Sequence, residues 1–234
     1  IIESGKIMDE YEQSPPDSYS CQAEDFNCDG EPEVILDTQK ATFFFSPSKG
    51  GTMFELDYKP KSFNCMNTLS RREEAYHENL FSKDISHTTE EEGHKSIHEL
   101  VKVKEKGLEN LLVYDSYIKS SMREHFLPLN ISVEALKSND YKEWWSLCNG
   151  FYKFQQDNEC LQFEGYGAVN IGDLKWDVKL LKIFSLNTVK DENEITFTVK
   201  YNIQNNSLEG FEGYFASEWC FNLLTGSDDD RFLY

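Results

Sequence analysis

The chain has none of the features that mark a membrane or export role. No apolar run approaches the ~18 residues a helix needs to cross a bilayer, and the first residues do not run from basic to apolar as a secretory signal does. Cysteine is sparse and scattered. Cys21, Cys28, Cys65, Cys148, Cys160 and Cys220 include no C-x-x-C pair and no zinc-finger spacing, so free thiols in a reducing, cytoplasmic compartment are the simplest account. Positive charge is short, with 23 Lys+Arg against 42 Asp+Glu and a net charge of −19. That field repels a phosphate backbone and argues against a nucleic-acid partner. A neutral polymer such as a glucan is indifferent to it. No fixed-period repeat is present, and no membrane partner is expected. A start at Ile1 rather than Met is what an excised segment would show.

What is present argues for a folded β protein. Hydrophobic residues make up 39% of the chain and aromatics 14%, with 17 Phe and 12 Tyr, and 234 residues suffice for one sizeable core. Residues 34–36, 41–45 and 53–58 read as short strands separated by turns. Ile195, Phe197, Val199, Tyr201 and Ile203 alternate strictly with polar residues, which places one face in a core. Trp176, Val178 and Leu180 form the strand before it, across a turn at 190–193, and 215–224 supplies another. Residues 151–154 and 160–163 flank Asp157-Asn158 as a hairpin, after which Gly165 and Gly167 are expected to bend the chain. Ser70 and Glu73 form a capping box ahead of a helix over 71–81. Residues 82–93 read as a solvated loop and 132–148 as one or two short helical turns. Residues 1–24, with Ser14-Pro15-Pro16, read as a helix and linker. The sum is a mostly β, antiparallel sandwich over 25–234.

Ordered segments add a resemblance. GGTMFELDYKPKSFNCMNTLSRREEAYHENLF at 50–81 is similar to the opening of the C-terminal β-sandwich of glycoside hydrolase family 57, which comprises 4-α-glucanotransferases and α-amylases. Four other segments agree in order. They are Ile1-Ile2-Glu3 with Ile7-Met8-Asp9, AEDFNCDGEPEVIL at 23–36, HKSIHELVKVKEKGLENLLVYDSYIKSSMREHFL at 94–127, and FASEWCFNLLTG at 215–226. The resemblance implies a galactose-mutarotase-like sandwich, truncated at its C-terminus because family members run on past Tyr234. It implies an exit helix from a catalytic barrel in the same polypeptide, and an α-1,4-glucan oligosaccharide as partner. A retaining glycosidase needs two carboxylates ~5–5.5 Å apart. In the family both come from the barrel, so no catalytic residue is assigned here and no cofactor is required.

Candidate sites follow. Asp25, Asn27 and Asp29, completed by Glu31 or Glu33, place oxygens at alternate positions before Gly30, as half of a calcium loop does. An EF-hand's bidentate Glu would fall at Leu36, so an Asx-rich turn is the competing reading. Arg71, Arg72, Tyr76 and His77 form one cluster, and Tyr114, Asp115, His125 and Phe126 a second. Either they reach the sugar cleft or, the favoured reading, the arginines clamp onto Glu73, Glu74 or Asp115. Glu218 and Asn222 read as strand and interface residues, and His94 and His98 as exposed loop residues rather than metal ligands. Trp176 and Trp219 belong in the core. Trp144 and Trp145, being adjacent, cannot both point inward on a strand, which leaves one exposed and sugar-facing. The rival function is a stand-alone carbohydrate-binding or calcium-stabilised β module.

Overall fold

Two main antiparallel sheets build the fold. A computed structural model describes residues 2–12, 19–77, 111–157, 160–187 and 194–222. Strands β1 (Tyr19–Glu24), β2 (Glu33–Thr38), β3 (Ala41–Ser46), β4 (Thr52–Tyr58) and β5 (Phe63–Asn64) pair in chain order as one antiparallel sheet. β6 (Arg123–Leu127) is paired later in the chain. A second sheet has the order β10 (Thr196–Asn205), β9 (Leu174–Asn187), β8 (Cys160–Ile171) and β7 (Lys153–Asp157). β11 (Tyr214–Glu218) pairs antiparallel with β6, with Ala216 opposite His125 and Glu218 opposite Arg123.

The inward faces meet through aromatic rings. Phe43 and Phe45 of β3 lie 5.1 and 5.0 Å, centroid to centroid, from Phe184 of β9, and Phe45 lies 5.3 Å from Phe163 of β8. All four rings are buried, and truncating one such Phe to Ala costs about 3–5 kcal/mol. Phe197, Val199 and Tyr201 of β10 pack against the same core, as the alternation predicts. Trp176 is buried and Trp219 packs partly buried on the core.

Several expectations are corrected. β1 pairs with β2 along its whole length, Tyr19 opposite Thr38 and Glu24 opposite Glu33, so residues 19–24 belong to the sheet and not to a linker. No helix starts at residue 71, and among the described residues of 71–81 only Ala75–His77 form a 3-10 turn. The Ser70 hydroxyl that was to cap that helix instead accepts the Lys119 N–H at 2.6 Å. Gly165 and Gly167 do not bend the chain; both lie within β8. They are glycines because of close packing, since a Cβ at Gly165 would fall 2.6 Å from the Tyr152 ring. The helical turn expected in 132–148 is α2 (Val133–Ser138), N-capped by Ser132, whose hydroxyl accepts the Ala135 N–H. The helix α1 (Ile2–Glu12) precedes the sheet. Residues 78–93, His94, His98 and the 190–193 turn lie outside the described residues.

Candidate functional site

Three neighbouring segments bring charge to one place: the stretch 111–121, β6 with its partner β11, and the stretch 139–150. β6 is REHFL, and all five of its residues are buried. A strand covered on both faces must find partners for its charged side chains inside the protein.

Along this series of contacts, the charges alternate. Arg71 Nε and Nη2 donate to Asp115 Oδ1 at 3.1 and 2.5 Å, and the Arg71 N–H donates to Oδ2 at 2.7 Å. Lys119 Nζ sits 3.5 Å from Asp115 Oδ1 and 2.6 Å from Glu218 Oε1. Glu218 Oε2 accepts the Tyr117 hydroxyl at 2.8 Å and faces His125 Nε2 at 3.4 Å. His125 Nδ1 reaches Glu143 Oε2 at 2.6 Å. Burial opposes the imidazolium, but hydrogen bonds to Cys148, Glu143 and Glu218 outweigh it, and the His125 pKa is pushed up to about 12. Burial likewise works against the Glu218 carboxylate. Bonds from His125, Lys119 and Tyr117 prevail and hold it down at about 2.

Beside this relay lies a second, fully buried group. Lys182, on the inward face of β9, is ion-paired with Glu124, and neither is exposed. The ammonium also donates to the carbonyls of Gly50 and Met122 at 2.6 and 2.8 Å. Tyr152 donates its hydroxyl to Glu124, and Trp145 Nε1 donates to Glu124 Oε1 at 2.9 Å. Burial is the main force lowering the Lys182 pKa. The Gly50-Gly51 pair exists for this group. Both have positive φ, 88° and 56°, and a Cβ at Gly50 would lie 2.7 Å from the Cys148 carbonyl oxygen. Arg123 completes the set. Its guanidinium stacks 4.1 Å from the Tyr117 ring centroid and donates to the Cys148 carbonyl and to Ser120 Oγ.

Of the residues singled out from sequence, the structure gathers Arg71, Asp115, His125 and Glu218 into the relay. His77 sits at its edge, with Nδ1 3.0 Å from the Tyr114 hydroxyl. Arg72 is not part of it; it is exposed and makes no ion pair among the described residues. The Tyr76 side chain lies outside the described set. Neither tryptophan of the 144–145 pair is exposed: Trp145 is buried against Glu124, and Trp144 is half-buried against Gly213. They reconcile because an isolated bridge, Trp145 to Val169, and not a continuous strand, holds this segment.

The acidic loop at 25–33 closes on itself through hydrogen bonds. Asp25 accepts the N–H groups of Asp29 and Gly30 at 3.0 Å each, and Asn27 Oδ1 accepts the Asp29 N–H. Asp29 accepts the Glu31 N–H and pairs with Lys49 at 2.6 Å. Buried Glu33 accepts from the Phe26 N–H and the Asn27 amide. These oxygens are turned to backbone and ammonium partners, as in an Asx-rich turn. Among the described residues, the one group of three or more metal-ligating side chains with mutually close donor atoms is His125, Glu143 and Cys148. Lys119, Glu124, Glu143 and Lys182 were missed in the sequence. Only Lys182 left a signal, a lysine in phase with the inward residues of β9.

One open groove lies elsewhere, on the outer face of β8 and β9. It has a volume of about 520 Å³ and is lined by Tyr166, Asn170, Lys175, Asp177 and Asn206 among others. The Tyr166 ring is 63% exposed, with Lys179 Nζ 5.1 Å from its centroid.

Comparison with known proteins decides the family. The family described as alpha-amylase/4-alpha-glucanotransferase, C-terminal, matches residues 25–234. The chain belongs to this family. It is 45% identical over 100 residues to alpha-amylase 1 of Dictyoglomus thermophilum, which is 43% of this chain and 14% of that protein. It is 33% identical over 147 residues to a 4-alpha-glucanotransferase of Thermococcus kodakarensis, 62% of this chain and 22% of that protein. The match thus spans well under a third of each of these relatives. The crystal structure of the 4-alpha-glucanotransferase from Thermococcus litoralis superposes with a TM-score of 0.69 over 93% of this chain and 28% of its own, at 20% identity. That likeness shows the fold, a mostly β antiparallel sandwich with open sheets.

Proposed function

We propose that this chain is the non-catalytic C-terminal sandwich of a cytoplasmic enzyme acting on α-1,4-glucans, either a 4-α-glucanotransferase or an α-amylase. Its work is to support a catalytic barrel of the same polypeptide, with α1 as the exit from that barrel, and to contact the glucan. The observation that carries the reading is the family match over residues 25–234. The arrangement of the relay favours a clamping role: each carboxylate in it is held by a cation or a ring N–H, so none is free to act as nucleophile or general acid. The groove beside Tyr166 has the chemistry for glucan contact, since an open aromatic face stacks on a pyranose ring and the flanking amides bind its hydroxyls.

The test uses the chain itself. Incubated with maltotriose, it should yield no redistribution of chain lengths by chromatography. In native gels containing glycogen it should be retarded, and Tyr166→Ala should abolish the retardation. Disproportionation that is lost on substituting an acidic residue of this chain would overturn the non-catalytic reading. Unretarded migration of the wild-type chain would remove the glucan contact.

A further inference from the structure

The His125, Glu143 and Cys148 side chains converge from two segments on one buried point. Their nitrogen, oxygen and sulfur donors all lie within 4.8 Å of one another. His125 and Cys148 are buried, and Glu143 is at the opening with 22% of its side chain exposed. We propose that these three side chains form a binding site for a divalent, borderline-soft transition metal of the zinc class.

The geometry around the donors supports this independently of any glucan reading. Zinc bound to imidazole, carboxylate and thiolate at about 2.0–2.3 Å in a tetrahedron sets its donors about 3.3–3.8 Å apart. The Nδ1 to Sγ separation is 3.7 Å. The Nδ1 to Glu143 Oε2 separation is 2.6 Å, a contact bridged by a proton, which widens by less than about 1 Å when a metal ion takes the proton's place. The surroundings are those that metal ligands need, since outer partners fix ring orientation and carboxylate position. His125 presents its other nitrogen, Nε2, to Glu218 at 3.4 Å, which keeps Nδ1 for the ion. Glu143 Oε1 accepts the Phe126 and Trp145 N–H groups at 3.0 and 2.9 Å, which leaves Oε2 for the ion. The fourth position is left to water through the Glu143 side. A hard cation such as calcium is disfavoured by a donor set with one sulfur and one nitrogen.

The proton balance follows from the contacts. With carboxylates on both ring nitrogens, His125 carries a proton on each. Binding one ion displaces the Nδ1 proton and the Cys148 thiol proton to solvent, while the Nε2 proton stays on its bond to Glu218. About two protons should therefore be released per ion.

Cobalt(II) is the probe, because thiolate ligation gives it a near-ultraviolet charge-transfer band and a tetrahedral site gives it intense visible bands. The chelator-treated chain titrated with cobalt should show both, saturating at one ion per chain, with zinc displacing cobalt and about two protons released. Cys148→Ser should lose the charge-transfer band while Cys220→Ser keeps it. Glu143→Gln, which retains an acceptor for the two N–H groups, should weaken binding by at least about tenfold and so covers the case in which Cys148→Ser fails to fold. Absence of a stoichiometric thiolate band in the wild-type chain would overturn the site. So would a band that survives Cys148→Ser, or affinity unchanged in Glu143→Gln.

Discussion

Lys182 stands between Leu180 and Phe184 in the inward-facing series of β9, where every neighbour on its face is apolar. Its ammonium is tolerated because Glu124 and two carbonyls surround it. A buried pair of this kind is weak evidence of net stabilisation, but removing one partner leaves an uncompensated charge and costs about 3–5 kcal/mol. Lys182→Met should therefore lower Tm by about 10 °C, taking roughly 2–4 °C per kcal/mol for a chain of this size. Adding Glu124→Gln, which neutralises the stranded carboxylate and still accepts from Trp145, should restore at least half of the loss. A single substitution that leaves Tm within a degree or two would mean that the pair is not buried as described. In the sequence, Lys182 is visible as a break in an apolar alternation, but Glu124 is not. Nothing in REHFL distinguishes a strand buried on both faces from an exposed one, because the covering segments come from residues 139–150 and from β11.

At the scale of elements, β4 sets two carboxylates two residues apart on one face. Glu55 and Asp57 each have a raised pKa, although the hydrogen bond between them by itself lowers that of Asp57. Burial is the largest cause for both, and the neighbouring Asp57 charge adds to it at Glu55, which is pushed up to about 7. The sign follows from linkage. A carboxyl with a raised folded pKa holds its proton more tightly in the native state, so the pair costs nothing below the unfolded pKa of about 4.3. Stability is lost as pH rises from there through about 7. Glu55→Gln should match the wild type in Tm near pH 4 and exceed it at pH 8. The difference should be on the order of 1 kcal/mol, less than the full shift because Glu55 is partly exposed and screened. Equal Tm values across that range would show that the two carboxyls do not share a proton. Element by element, β9 and β10 were legible because a period of two survives in sequence. The helix expected at 71–81 was misread because Ser70 bonds to Lys119, a partner 49 positions away that no local pattern encodes.

The whole molecule holds a net charge of −19, while inside it Lys182 is neutralised by Glu124 and Lys119 by Glu218. Most of the excess is therefore on the surface, where it repels itself and opposes compactness. The family could be read from the chain because residues such as Gly50-Gly51 serve distant groups. Their positive φ values and carbonyls are fixed by Lys182 and Cys148, so the local sequence tolerates little else. The acidity has no such constraint, and its consequence is a response to salt. Raising sodium chloride from about 10 mM to about 150 mM shortens the screening length from ~30 to ~8 Å. Long-range repulsion between exposed carboxylates should weaken, whereas the Lys182–Glu124 pair, closed to water, should be little affected. Tm should rise by a few degrees, since each 1 kcal/mol of relieved repulsion is worth roughly 2–4 °C. Chloride is the right anion for the test, because sulfate strengthens apolar burial in any protein and would give a rise for another reason. A Tm that falls with added chloride would mean that the partly exposed relay from Arg71 through Asp115 and Lys119 to Glu218 contributes more to stability than the surface repulsion takes away.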